Sequence, residues 1–246
     1  MSDVVQIGDA TLYHGDSLQI VTTAMMPGVD AFVTDPPYGV NLGSHDAAKE
    51  KRPQFLAKQG YESYDDTEEN LLAVVVPTVR ELVDRVGRGV VFCAGLNVWH
   101  FPRASTIGGV YLPAACGRNP WGFASLAHCL FYGTAPDLHK GAKHTAIRST
   151  ESAGENGHPC PKPLGWMRWA VDLAARPGES VIDPFMGSGT TGVACAQLGR
   201  KFIGIEIERK YFEVACQRIE DAYRQQRLFG NEDLQTLPAK QAAFGI

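Results

Sequence analysis

"SVIDPFMGSGTTGVACAQLGRKFIGIEI", residues 180–207, is the stretch whose reading decides the fold. The run Ser180 to Asp183 reads as a strand that ends in an acid and then Pro184. Proline has no N–H to give a central ladder, so the strand stops there. Gly187, Gly189 and Gly192 follow, and glycines let a backbone turn sharply and lie close to whatever it binds. A helix is expected from about Thr190, then a second strand ending at Glu206. Strand, glycine turn, helix and strand form the repeating unit of a parallel sheet covered by helices.

Working outward, the same grammar recurs. "VVQI", "TLYH", "AFVT", "GVVFCA" and "LAHCLFYG" are further strand candidates, and several are continuous apolar runs, as strands buried on both faces read. Residues 163–176 place Leu164, Met167, Ala170, Val171 and Ala174 at helical spacing, and residues 208–222 do so with Tyr211, Ala215, Ile219 and Ala222. The expectation is a Rossmann-like α/β sheet with helices on both faces, formed by one domain over residues 1–246. The segments at about 41–75 and 100–157 carry most of the proline, glycine and basic residues and are expected to be loops or insertions.

Composition narrows the class. Hydrophobic residues make up 44% and charged residues 20%, as in an ordinary globular protein. No run of 18 apolar residues offers a membrane span, and the N-terminal stretch lacks the pattern of a secretory signal. Six cysteines without a C-x-x-C pair suggest neither a disulfide framework nor zinc, and fit a reducing cytoplasm. The net charge of −4 gives no general attraction for nucleic acid, so any such surface must be local. Two basic clusters qualify: Lys49, Lys51, Arg52 and Lys58, and the acid-free stretch 138–150 with Lys140, Lys143 and Arg148.

The glycine loop admits two ligands. Gly187, Gly189 and Gly192 satisfy G-x-G-x-x-G, and Glu206 falls where a dinucleotide fingerprint puts its acid, so a dehydrogenase competes. Against it, Asp183 stands at the mouth of the loop, where a carboxylate repels a pyrophosphate and attracts a cationic, amino acid-like ligand. S-adenosylmethionine has the ribose for Glu206, a sulfonium and an α-amino group, and no phosphate. The second informative stretch is "VTDPPYG", residues 33–39. Here a buried strand ends by presenting Asp35, Pro36, Pro37 and Tyr38. A carboxylate and a carbonyl held still beside a proline can accept both N–H bonds of an exocyclic amine on a nucleobase and turn its lone pair toward a methyl donor. Tyr38 would stack on the base, which must first leave the duplex.

"TDPPYG" resembles the catalytic motif of amino-group DNA methyltransferases. "DPFMGSGTTGVACAQLGRKFIGIEIERKYFEVACQRI" resembles their cofactor motif, and "HPCPKPLGWMRWAV", from His158, resembles a third. The catalytic motif precedes the cofactor motif, the permuted order of the beta class. The resemblance spans residues 10–40 and 156–222. It implies catalysis by Asp35, Pro36, Pro37 and Tyr38. It implies S-adenosylmethionine held by Asp16 near the adenine, Glu206 on the ribose, and Asp183, Phe185, Gly187, Gly189, Thr190 and Thr191 along the methionine part, with His158, Pro159 and Lys162 from the third motif, Lys162 toward the cofactor carboxylate. The sequence departs from the pattern at Cys160 and Pro161, and at Gly39 where asparagine is frequent. A D-P-P-Y motif implies adenine N6 as target, with cytosine N4 as the alternative; a catalytically inactive DNA binder on the same scaffold is a remoter one. Double-stranded DNA is the implied partner, with Lys49, Lys51, Arg52, Lys140, Lys143 and Arg148 as candidate contacts and Trp99, His100, Arg103, Arg118, Asn119 and Trp121 as further ones. A homodimer, no membrane, no metal and a bacterial or phage cytoplasm complete the expectation.

Overall fold

A computed structural model describes residues 3–23, 28–40, 65–114, 117–119, 121–152 and 162–235. In chain order the elements are β1 (Asp3–Ile7), β2 (Ala10–His14), α1 (Ser17–Thr23), β3 (Ala31–Thr34), α2 (Glu68–Asn70), a π-helical stretch (Leu71–Val75), α3 (Val76–Arg85), β4 (Gly89–Cys93), β5 (Thr106–Tyr111), β6 (Gly117–Asn119), β7 (Gly122–Ala124), β8 (Leu126–Tyr132), β9 (Ala146–Arg148), α4 (Leu164–Ala174), β10 (Ser180–Asp183), α5 (Thr190–Leu198), β11 (Lys201–Glu206) and α6 (Arg209–Gln235). Single 3₁₀ turns lie at Val98–His100 and Leu138–Lys140.

Nine strands form one sheet in the order β1-β2-β11-β10-β3-β4-β8-β5-β9, with β6 and β7 as a separate hairpin. From β2 through β4 the neighbours are parallel, while β1 and β8 run against their partners. β5 runs against β8 and is joined in parallel by β9. The C-terminal ends of β11, β10, β3 and β4 therefore share one edge of the sheet, where ligands of open parallel sheets bind.

The burial pattern explains the two layers of helices. All four residues of β3 are buried. Its Ala31 and Val33 pack with Trp166, Met167, Ala170 and Val171 of α4 and with Val193, Ala215 and Ile219 of α5 and α6. Phe32 turns to the other face, among Ile20 and Val21 of α1 and Leu71, Val75, Val79 and Leu82 of the 68–85 helical run. Successive residues of a strand point to opposite faces, so one apolar run feeds both cores.

Two expectations about the loops are corrected. Residues 68–75 are helical and continue into α3. The segment 100–157 contributes β5, β8 and β9 to the main sheet, and among its described residues the β6–β7 hairpin stands outside it. β5 is inconspicuous in sequence because Gly108 and Gly109 remove side chains from its middle. A Cβ at either position would run into the carbonyl of Thr145 or Ala127, so glycine allows the neighbouring chains to close there. The helix expected over 163–176 spans Leu164–Ala174, and that expected over 208–222 extends from Arg209 to Gln235.

Candidate active site

The site begins with a strand adjacency. β3 and β10 lie 149 residues apart in sequence yet pair side by side, Val181 opposite Ala31 and Ile182 opposite Phe32. Their ends are bonded directly: the Thr34 hydroxyl donates to Asp183 Oδ1 at 2.6 Å. Asp183 also accepts from the Thr191 hydroxyl at 2.5 Å and from the Phe185 N–H at 3.1 Å. This carboxyl is buried, and burial raises it from the ordinary aspartate range to about 6 against those hydrogen bonds. Asp183 thus ties the end of β3 to the glycine loop and to the first turn of α5, rather than offering both oxygens to a ligand.

Glu206, at the end of β11, is arranged differently. Its Oε2 accepts from the Gly187 N–H at 2.9 Å and its Oε1 from the Glu208 N–H at 2.8 Å. Burial raises this carboxyl to about 7, with the two backbone bonds opposing. The glycine loop turns through Gly189 in the left-handed region (φ +79°), where a Cβ would meet Ala215 at 2.9 Å. Arg218 of α6 braces the loop from behind, donating to the Ser188 carbonyl, to Ser188 Oγ at 2.9 Å and to Thr190 Oγ1 at 3.2 Å. Asp16 accepts the Gln19 N–H at 2.7 Å and so caps α1.

Asp35 lies just beyond β3. Oδ1 accepts from the Tyr38 hydroxyl at 2.7 Å, and Oδ2 pairs with Lys162 Nζ at 2.8 Å. Lys162 also stands over the Tyr38 ring, 4.9 Å from its centroid. The sequence placed Lys162 on the cofactor carboxylate; the structure places it on Asp35, because the turn ahead of α4 runs past the end of β3.

A cleft of about 260 Å³ joins these groups: Asp35, Pro37 and Lys162 at one side, Asp183 to Ser188, Thr190 and Thr191 along the floor, and Asp16, Glu206 and Ile207 at the other side. Its described lining holds five acids besides Asp35 and one cation, Lys162. That balance suits a cationic ligand. The loop N–H groups of Phe185, Gly187 and Gly189 are already given to Asp183, Glu206 and the Met186 carbonyl, which leaves them unavailable to a pyrophosphate. A buried carboxylate at the cleft, each oxygen accepting a peptide N–H and retaining a second lone pair, suits a vicinal diol. The residues present therefore fit S-adenosylmethionine better than a dinucleotide.

Of the expected DNA contacts, Lys140 pairs with Asp137 at 3.1 Å and Lys143 with Asp172 at 2.6 Å. Lys143 lies beside the start of β4 and the end of β8, at the edge of the sheet opposite Asp35. The grouping of Lys140 and Lys143 with Arg148 is thus corrected, since Arg148 ends β9 at the Asp35 edge and is exposed. Trp99 (84% exposed) and Trp121 (98%) stand at that same edge. His158, Pro159, Lys49, Lys51, Arg52 and Lys58 lie outside the described residues, as do the side chains of Arg118 and Asn119. Thr34, Asp66, Asn97 and Arg218 escaped sequence reasoning, because nothing local separates them from ordinary strand, turn and helix residues.

Known proteins share this fold. A family model described as DNA methylase, of the N6/N4 type, matches residues 95–217, half of the chain. The Type II methyltransferase M2.DpnII of Streptococcus pneumoniae is 43% identical over 63 residues, 26% of this chain and 24% of that protein. The Type II methyltransferase M.HinfI of Haemophilus influenzae is 38% identical over 74 residues, 30% of this chain and 21% of that protein. The matched stretches thus span under a quarter of each curated relative. Among solved structures, that of the M1.HpyAVI–SAM complex superposes with a TM-score of 0.61 at 25% identity, covering 85% of this chain and 98% of the other. The cytosine-N4-specific PvuII DNA methyltransferase superposes with a TM-score of 0.60 at 15% identity, covering 89% and 93%, a likeness of fold.

Proposed function

We propose that this chain, which belongs to the N6/N4 DNA methylase family, is a DNA methyltransferase that modifies the N6 amino group of adenine in a specific duplex site. The observation that carries the reading is that Asp35 and Glu206 share one cleft, 171 residues apart in sequence, with the catalytic strand end bonded to the cofactor loop through Thr34 and Asp183. S-adenosylmethionine, the cofactor of this site, supplies an electrophilic methyl group when bound. Glu206 would accept from its ribose hydroxyls, Asp16 would face the adenine side, and the 185–191 segment would line the methionine part.

The protein's own work is orientation. Each carboxylate oxygen has two lone pairs, so Asp35 can accept an amino N–H of the base while keeping Tyr38 and Lys162. The Pro36 carbonyl takes the second N–H, and the locked φ of the two prolines keeps that acceptor still. Drawing both protons aside frees the nitrogen lone pair from conjugation with the ring. Tyr38 stacks on the base, which enters extrahelically because the amino group to be modified is engaged in pairing while the base stays in the duplex. Lys162 supports this end of the cleft, and the third motif's resemblance adds His158 and Pro159 as cofactor contacts. Duplex recognition falls to what stands off the sheet at the Asp35 edge, the β6–β7 hairpin, the turn bearing Trp99 and His100, and Arg148, and on sequence alone to Lys49, Lys51 and Arg52; Arg103, just ahead of β5, stands at the opposite edge. The whole is one methyltransferase domain, and its resemblance to the beta class favours a homodimer.

Incubation with tritiated S-adenosylmethionine and unmethylated genomic DNA, followed by nucleoside digestion and mass spectrometry, tests the reading. N6-methyladenine is expected. N4-methylcytosine would move the assignment to the other base, which Asp35 as first motif residue disfavours only as a family tendency. Cofactor binding without incorporation would favour an inactive DNA binder.

A further inference from the structure

We propose that Asp66 and Asn97 are positioning residues that hold the Tyr38 peptide, and through it the Asp35 carboxylate, in its reactive geometry. The need arises in the sequence. Once the chain leaves β3, Pro36 and Pro37 have no N–H to anchor it, so the first donors after Asp35 are Tyr38 and Gly39. Both are given to one atom: Asp66 Oδ1 accepts the Tyr38 N–H at 2.6 Å and the Gly39 N–H at 2.8 Å. Asp66 is only 2% exposed, so these are charge-assisted bonds inside the protein. From the other side Asn97 Nδ2 donates to the Tyr38 carbonyl at 2.6 Å.

The two holders come from separate, independently fixed places. Asp66 precedes the N-cap Thr67 of α2, whose hydroxyl accepts the Asn70 N–H at 3.1 Å and donates to Asp65 at 2.7 Å. Asn97 sits in the turn after β4, its own N–H bonded to the Ala94 carbonyl at 3.0 Å. Gly39 accounts for the fit. It is left-handed (φ +69°), a conformation that glycine and asparagine adopt most readily, and a Cβ there would approach Leu71 Cδ2 at 2.9 Å and Asn97 Nδ2 at 3.3 Å. The Asn97 amide thus occupies room into which a side chain at position 39 would project. The linkage to chemistry is short. The Tyr38 peptide fixes the ring, the ring's hydroxyl bonds Asp35 Oδ1 at 2.7 Å, and Lys162 holds Oδ2. Neither Asp66 nor Asn97 needs to touch the base.

The kinetic part of the test rests on the methyltransferase reading; a spectroscopic part does not. Full-length protein carrying 3-fluorotyrosine at position 38 is compared with its Asp66→Asn, Asp66→Ala and Asn97→Ala versions. Wild type gives one narrow fluorine resonance, and Asp66→Ala and Asn97→Ala broaden or split it. Affinity for S-adenosylhomocysteine stays within about twofold, since the cofactor groups are untouched, while kcat falls on the order of 10²-fold in Asp66→Ala, the cost of a misplaced reacting group. Asp66→Asn, which keeps an acceptor oxygen but not its charge, loses less. Should Asp66→Ala not fold, Asn97→Ala and Asp66→Asn carry the same two readouts. An unchanged resonance with unchanged kcat would overturn the proposal, as would loss of cofactor affinity in step with kcat, which marks a general structural role. If wild type transfers no methyl group, the enzymatic reading fails and the fluorine spectra alone decide the positioning.

Discussion

Glu206 should make cofactor binding depend on pH in the neutral range. Burial raises its carboxyl from an ordinary 4.5 to about 7, while the Gly187 and Glu208 N–H groups limit the rise. Each oxygen already accepts one peptide N–H, so a proton on the carboxyl would point into the cleft and meet a ribose hydroxyl donor to donor. The anion is the form that accepts two hydroxyls. With half-titration near pH 7, affinity for S-adenosylhomocysteine should be about tenfold weaker at pH 6 than at pH 8. The same carboxyl affects folding with a defined sign. Its folded value lies above its unfolded one, so the free protein binds the proton more tightly than the unfolded chain does. Stability is highest below about pH 4.5, declines as pH rises, and by pH 7 to 8 has lost roughly 3 kcal/mol from this group. Isothermal titration from pH 5.5 to 8.5, in buffers of different ionisation enthalpy, measures both affinity and proton release. Glu206→Gln should bind more weakly and with a flatter pH profile. A wild-type affinity that is flat across this range, or a variant that keeps the wild-type slope, would refute the reasoning.

Lys162→Met removes the cation and donor from Asp35 Oδ2 and should lower kcat about 10- to 100-fold, as loss of a hydrogen bond to a charged group does, with cofactor affinity little changed; steady-state methyl transfer reads it. Gly192→Ala should destabilise the protein by about 1–3 kcal/mol in urea unfolding, because the new methyl group drives into Ile219 and lies 2.7 Å from Phe202 in the tightly packed α5–α6–β11 contact. Replacing Lys140 and Lys143 by glutamine should leave the salt dependence of DNA binding unaltered, whereas Arg148→Gln should reduce its log–log slope by about 0.9. Filter binding at several salt concentrations separates the two, and a shallower slope for the lysine pair would return them to the DNA surface.

The strand and glycine-turn architecture was readable because it is local. Apolar runs bounded by Gly, Pro and acids gave seven strands that the structure contains, and the two motifs at their ends fell into one cleft. The helix over residues 68–85 was hidden by its own composition. "LLAVVVP" looks like a buried strand stopped by proline, but the π-helical stretch Leu71–Val75 leads directly into α3 and Pro77 stands inside the continuous helical run. The acids of "YDDTEEN" read as a solvated run, and no local pattern distinguishes buried Asp66 from exposed Glu68. The basic stretch 138–150 misled for the complementary reason: Asp172, which takes Lys143, is 29 residues away in sequence. Lys162 and Asp35 are 127 residues apart, so the ion pair at the centre of the site exists only in three dimensions.

The order of strands also governs how the chain must fold. β10 and β11 lie between β2 and β3, so the middle of the sheet is supplied by residues 180–206, long after its flanks have been synthesised. Until they arrive, β2 and β3 share no neighbour, and each presents an open hydrogen-bonding edge of the kind that promotes aggregation. Insertion of this late βαβ unit joins the two halves through contacts of very long sequence separation, the class that folds slowly. It also brings Asp183 to Thr34 and Glu206 to the cleft in the same event. A nascent or truncated chain lacking residues 180–206 therefore has neither a continuous sheet nor any cofactor floor, and competence for ligand arrives together with the closing of the sheet.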